Sequence, residues 1–194
     1  MPPTKTTSID LIDAWQIAPG GKITVGAAKS ISDSYDSILY IEVAGIEAEA
    51  YTGTEVIIEI SNGDDNWQKL ATFKGTAESV SANDLNGIAN YGTPTVTLTD
   101  AMTGGFYIKG NKWFIKDGTI ANSESVRTRS NATHVVTICE LLNNSHADET
   151  PVYNSCDEWA QPLPRANAQV RTLINNIDAF DVAFTTRISK VTGK

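Results

Sequence analysis

The chain has 194 residues, 41% of them hydrophobic and 20% charged, with a formal net charge of -8; this is the composition of a folded globular protein with room for a sizeable core, and it excludes disorder over most of the length. The acidic excess excludes broad attraction to nucleic-acid phosphates or to an anionic membrane, since both reward dense Lys and Arg. Cys139 and Cys156 are too few for a disulfide framework and read as buried or half-buried free thiols, while the lack of a long apolar run leaves no signal peptide or bilayer span and points to synthesis in a cytosol.

Residues 1–18 read as an N-terminal arm or a first edge element. Within them Ile9-Asp10-Leu11-Ile12-Asp13-Ala14-Trp15-Gln16-Ile17 fits a short strand or a helical turn equally, because the apolar spacing is ambiguous over so few residues. Pro19-Gly20-Gly21 breaks the chain. Ile23-Thr24-Val25 and residues 38–44 have the β-branched and aromatic character of strands, and the polar segment 29–37, with Tyr35 near its end, reads as a connecting and contact loop. Residues 54–61, the turn Asn62-Gly63-Asp64-Asp65-Asn66 and residues 67–73 read as a hairpin, with Val56, Ile58 and Ile60 on one face and Asn62-Gly63 suited to positive backbone dihedrals.

Residues 76–90 lack a persistent period of two and read as an insertion with a short helix over 82–88. Alternation returns at 95–99, 106–109, 112–116, at Val126 and Thr128, and over His134-Val135-Val136-Thr137-Ile138-Cys139, punctuated by Gly104-Gly105, Gly110-Asn111 and Asp117-Gly118. Residues 143–165 read as the longest irregular segment, because Pro151, Pro162 and Pro164 disfavour a long central strand. Two strands follow, the second placing Val182, Phe184 and Ile188 on one face and Arg187 on the other. The expected fold is all-β: an antiparallel β-sandwich, jelly-roll-like, with long loops and at most one or two short helices, residues 19–194 forming a single domain.

No catalytic constellation accompanies these strands. His134 and His146 are the only histidines, and neither has a nucleophile and an orienting carboxylate at a telling spacing, so both read as structural or solvated, His134 within a strand. His134, Cys139 and Cys156 lack the close pairing of a zinc site. Asn62, Asp64, Asp65 and Asn66 gather oxygen donors but lack the order of a calcium loop and read as a solvated hairpin tip. Asp157 and Glu158 are adjacent, so on an extended chain they point apart and do not serve as a paired acid and base. The glycines of 19–21 and 103–105 are turn glycines rather than a phosphate loop. No catalytic residue, metal ligand or cofactor is therefore assigned. Trp67 and Trp113 flank hairpin turns and read as closing the ends of a sandwich core, whereas Trp15 and Trp159 lie in less regular segments suited to a partner.

Three segments resemble tailed-bacteriophage virion proteins: Thr52-Gly53-Thr54-Glu55-Val56-Ile57-Ile58-Glu59-Ile60-Ser61 with Trp67, then Trp113-Phe114-Ile115-Lys116-Asp117-Gly118-Thr119-Ile120-Ala121-Asn122-Ser123-Glu124, and Arg187-Ile188-Ser189-Lys190-Val191-Thr192-Gly193. The family pattern is a TGTE strand, a tryptophan after a turn, an F-x-x-DGT-x-x-NSE hairpin and a terminal R-x-RISKVTG strand; Thr185 stands here in place of its first arginine. The resemblance implies a non-enzymatic virion component, a capsid decoration or cement protein made in the host cytoplasm and seated on the capsid surface. Its implied partners are the major capsid protein or other virion proteins, with self-association in the assembly and no nucleic acid or membrane. Candidate contacts are Pro2, Pro3 and Ile9 of the arm, Trp15, Tyr35 and Trp159. The alternatives are a carbohydrate-binding β-sandwich of a fibre or adhesin, drawn from the turn 61–67, and a neck or tail structural protein.

Overall fold

The computed structural model describes residues 4–17, 23–32, 34–47, 49–77, 80–101, 110–154, 156–165 and 168–192. Among them the chain forms fifteen strands and a single turn of 3-10 helix, Ile120–Asn122, as the all-β expectation requires. The strands are β1 (Thr4–Ile17), β2 (Ile23–Val25), β3 (Lys29–Ser30), β4 (Ser34–Gly45), β5 (Thr54–Ser61), β6 (Gln68–Lys74), β7 (Ala82–Asp84) and β8 (Thr95–Thr97). They continue as β9 (Lys112–Ile115), β10 (Glu124–Ala132), β11 (Val135–Ile138), β12 (Pro151–Tyr153), β13 (Cys156–Pro162), β14 (Gln169–Asn176) and β15 (Val182–Thr192). Where one domain is expected over 19–194, the chain gathers into two compact units, residues 1–43, 52–76 and 158–194, and residues 44–51 and 77–157.

The first unit is a sandwich of two sheets, in the orders β1-β15-β4-β13 and β2-β14-β5-β6, with β3 also on β14. Period-two alternation makes each sheet one-sided. Val56, Ile58 and Ile60 of β5 and Val170, Thr172 and Ile174 of β14 are buried, as are Leu39, Ile41 and Val43 of β4 and Phe184, Thr186 and Ile188 of β15. Two half-apolar sheets can hide these faces only against each other. At the sheet edges Phe73 of β6 stacks on Trp159 of β13, ring centroids 5.3 Å apart. The hairpin of β5 and β6 is present with Gly63 at φ 97° and Asp65 at φ 60°, the conformations that turn the chain back. The stretch 9–17 resolves as strand, because β1 pairs with β15 from Thr4↔Thr192 to Ile17↔Val182, with three register shifts along the way.

The second unit is one six-stranded sheet, β7-β12-β9-β10-β11-β8, curled until its edges meet. Leu85 bridges Leu98, the Asn86 N–H donates to Thr97 O at 2.9 Å, and the Thr99 N–H donates to Asp84 O at 2.9 Å. Curling places one face inward, where Leu85, Val96, Leu98, Trp113, Ile115, Val126, Val136, Ile138 and Val152 form the core. Closure also removes the open edges that would otherwise pair with other chains.

Several expectations are corrected. The helix expected over 82–88 is strand β7 followed by a loop; pairing with β12, and an Asn83 side-chain amide that accepts from the Asp84 and Asp100 N–H groups, outweigh the local preference. The irregular segment 143–165 contains β12 and β13, whose prolines sit at the first residue of one strand and the last of the other, where a missing donor does little harm. His134 lies in the β10–β11 turn beside Thr133 at φ 52°, not in a strand. Cys139 is exposed, where a buried or half-buried thiol is expected, Cys156 is half-buried, and neither forms a disulfide. The strand expected at 106–109 falls outside the described residues.

Candidate functional site

The three motifs of the sequence resemblance each hold a fold contact. At the start of β5, the Gly53 N–H and the Thr54 hydroxyl donate to the two carboxylate oxygens of Asp178, at 2.7 and 2.8 Å. A Cβ on residue 53 would lie 2.6 Å from Asp178 Oδ1, so only glycine fits there. Asn176 continues the clasp, its amide donating to the carbonyls of Ile17 and Phe180. In β15, buried Lys190 donates from Nζ to the carbonyl of Ser30, and Ile188 is wholly buried.

The hairpin motif leads to the most convergent group of ionisable side chains among the described residues. Asp117 folds its own turn, Oδ1 accepting from the Thr119 N–H at 2.9 Å while its N–H donates to Ser123 Oγ at 2.9 Å. Glu124 accepts from His146 Nε2 at 2.9 Å and from the backbone N–H groups of Asn143 and Asn144 at 2.8 and 2.9 Å. Burial raises the affinity of the Glu124 carboxyl for its proton, but these donors together outweigh burial and hold its pKa below the usual carboxylate value. An ionised carboxylate only accepts, so Nε2 carries the hydrogen. His146 Nδ1 has no hydrogen-bond partner, and Asp117 Oδ2 lies 3.5 Å away. The cluster resembles a base with its orienting acid, yet the carboxylate is saturated by backbone donors and His146 is 1% exposed. Its work is to fasten segment 143–146 to β10. Among the described residues no group of three or more His, Cys, Asp or Glu is placed to hold a metal ion.

The aromatic side chains are similarly engaged. Trp113 is fully buried, as expected, but Trp67 is half-exposed, with the Arg171 guanidinium 4.1 Å from its ring centre and Arg171 paired to Glu59 at 2.7 Å. Trp67 thus lies against its own sheet rather than closing the core. Trp159 is half-buried on Phe73. Tyr40 and Arg187, with Glu42, Glu158 and Trp159, line a shallow hollow of about 220 Å³ on the β15-β4-β13 sheet, the guanidinium 5.4 Å from the Tyr40 ring centre. Of the other residues expected to meet partners, Ile9 and Trp15 lie in β1 and Tyr35 at the start of β4, their side chains outside the described set; Pro2 and Pro3 are also outside it.

One exposed feature has no counterpart in the expected contacts. In the second unit, loop 86–93 is fixed against segment 142–148: Ala89 and His146 exchange both backbone hydrogen bonds, Gly92 N–H donates to Leu142 O, Tyr91 N–H to Ser145 Oγ, and Gly87 N–H to Asp148 Oδ1. Gly87 and Gly92, at φ 87° and 77°, begin and end the bend. This frame presents Ile88, Tyr91 and Leu141 at 68%, 71% and 58% exposure. The signal available in the sequence was the uncharged run of residues 85–99, not a motif.

No family model and no curated protein matches the chain. Among solved structures it is similar to VP17, a capsid protein of bacteriophage P23-77, at 10% identity and TM-score 0.19 over 98% of each chain. It is also similar to the VP16–VP17 complex of the two major capsid proteins of that phage, at 11% identity and TM-score 0.19 over 95% of this chain and 97% of that one. A third similarity is to the VP2 subviral particle of infectious bursal disease virus, at 12% identity and TM-score 0.28 over 99% of this chain and 42% of that one. At such TM-scores these likenesses carry no argument.

Proposed function

We propose that the chain is a non-enzymatic structural protein of a tailed-bacteriophage particle, a decoration or cement protein seated on the capsid surface and binding neighbouring shell subunits. The observation that carries this reading is the role of the resembling motifs: Gly53-Thr54, Asp117 to Glu124, and Ile188 with Lys190 are spent on holding strands and loops in place. What is shared with virion proteins is therefore a scaffold, and a scaffold that presents its loops at the surface suits a protein whose work is attachment. The His146–Glu124 pair supports the same reading, being buried with its carboxylate filled by the Asn143 and Asn144 backbone N–H groups. The sugar-binding alternative loses its platform, because the turn at 61–67 delivers Trp67 beneath Arg171 and Asp64 accepts from the Asn66 N–H of its own loop. Ile9, Trp15 and Tyr35 remain proposed shell contacts, on the side of β1 and the start of β4, with Pro2 and Pro3 preceding them.

Electron cryomicroscopy of the intact particle tests the proposal. The expected result is density for this β chain on the outer shell, in contact with the major capsid protein. Density confined to the neck or tail overturns the decoration role, and a solitary secreted domain that binds oligosaccharide overturns the virion role altogether.

A further inference from the structure

Asparagine followed by glycine is a pair at which a chain can modify itself: the glycine nitrogen attacks the side-chain amide carbon of the asparagine, and the missing Cβ leaves the approach open. The sequence has two such pairs, Asn62-Gly63 and Asn86-Gly87, both exposed and each with its glycine at positive φ, 97° and 87°. The fold treats them differently. The Gly63 N–H donates to a neutral hydroxyl, Ser61 Oγ at 3.1 Å, a Cβ on Gly63 would meet Ala168 Cβ at 3.7 Å, and Asn62 is itself engaged in a further contact. The Gly87 N–H donates instead to a carboxylate, Asp148 Oδ1 at 2.6 Å, and no heavy atom beyond the adjoining residues lies within 4 Å of where a Gly87 Cβ would stand. Among the described residues the Asn86 side-chain amide has no hydrogen-bond partner, and it borders an open hollow. The Asn86 N–H is held by Thr97 O at 2.9 Å, and Asp148 Oδ1 also accepts from the Glu149 N–H at 3.1 Å, so the main chain and the carboxylate are fixed while the Asn86 amide is free to turn.

We propose that Asn86 is a self-modification site, at which Asp148 promotes loss of the side-chain amide. The Asp148 carboxylate sits on the hydrogen of the attacking nitrogen, the place of a general base. Gly87 N bonds to Asn86 Cγ as its proton passes to Asp148; the Cγ–Nδ2 bond then breaks, and Nδ2 leaves as ammonia, taking that proton from Asp148. A cyclic imide remains, and water opens it at either carbonyl to leave an aspartate or an isoaspartate at position 86. The consequence is structural. The imide nitrogen has no hydrogen, so the Gly87–Asp148 bond is lost, and after opening a new carboxylate stands near that of Asp148, where like charges repel. Loop 86–93 thereby loses its first anchor to segment 142–148, while the bonds at Ala89, Tyr91 and Gly92 remain. None of this chemistry depends on the proposed particle role.

Peptide mass spectrometry of the purified full chain, aged in mildly alkaline buffer and sampled over weeks, is the test, with isoaspartate identified by enzymatic methylation. In the folded chain Asn86 is expected to lose its amide at least about tenfold faster than Asn62, a modest share of what a positioned base supplies. In urea, where Asp148 no longer faces Gly87, the two sites are expected to convert at similar rates. Asp148→Asn keeps an acceptor for the Gly87 N–H but removes the base, and should slow Asn86 at least about tenfold while leaving Asn62 unchanged. Should Asp148→Asn melt early, the wild type alone decides: the ratio of the Asn86 rate to the Asn62 rate must fall when the chain is unfolded. An Asn86 that stays intact, equal rates at the two sites in the folded chain, or a ratio that urea leaves unchanged overturns the proposal, as does a folded Asp148→Asn variant that ages as the wild type does.

Discussion

Gly53→Ala is the sharpest single perturbation of the first unit. The added Cβ would lie 2.6 Å from Asp178 Oδ1 and 2.8 Å from Ile177 Cγ1. Ile177 is 60% exposed, and its side-chain tip can swing away. Asp178 cannot move without releasing the Gly53 N–H and the Thr54 hydroxyl, held at 2.7 and 2.8 Å. Hydrogen bonds to a charged group contribute about 1.5–3 kcal/mol each, so losing them in this half-buried setting should cost about 3 kcal/mol, or roughly 6–12 °C in the melting temperature of a domain of this size. Urea denaturation of the wild type, Gly53→Ala, Asp178→Ala and the double variant closes a cycle. Once Asp178 is truncated the main obstacle is gone, and Gly53→Ala should then cost less than about 1 kcal/mol. Additive losses in the double variant would show that the glycine is not required by the carboxylate, and the account of this motif would fail.

Two further outcomes follow from polar groups elsewhere. Thr172 and Thr186 bury hydroxyls that lack hydrogen-bond partners inside the sandwich; Thr172→Val and Thr186→Val should each stabilise the chain by about 1 kcal/mol, read as a higher denaturation midpoint at unchanged m-value, and a loss of stability would mean the hydroxyls are satisfied. The pKa of Glu124 is depressed in the folded state, so its contribution to stability is present above the unfolded carboxyl value and is lost as pH falls through the folded one. Glu124→Gln should therefore lower the melting temperature at neutral pH, and its difference from the wild type should narrow as pH falls from about 5 to about 3; a constant difference across that window would refute the ionised, donor-saturated carboxylate.

The sequence by itself determined the β character of the chain and the inward faces of its longer strands. Alternation at Val56, Ile58 and Ile60, and at Val182, Phe184 and Ile188, is a local record of which side meets the core, because successive side chains in a strand point oppositely. The positive φ of Gly63 was legible because it is a property of one residue, whereas the turn's second positive φ falls at Asp65 and not at the expected Asn62. Short strands were not: β7 and β12 are three residues each, too brief for a period, and they exist because they pair with one another and because β12 also pairs with β9. The fate of N-terminal β1 depended on β15, about 170 residues away in the chain, and that of Gly53 on Asp178. The tertiary structure alone decided that Trp67 would lie under Arg171, that His146 would be buried with its Nε2 on Glu124, and that Ile88, Tyr91 and Leu141 would stand in solvent. Burial and pairing are relations between distant segments, and side-chain periodicity, which is fixed by near neighbours, contains no term for them.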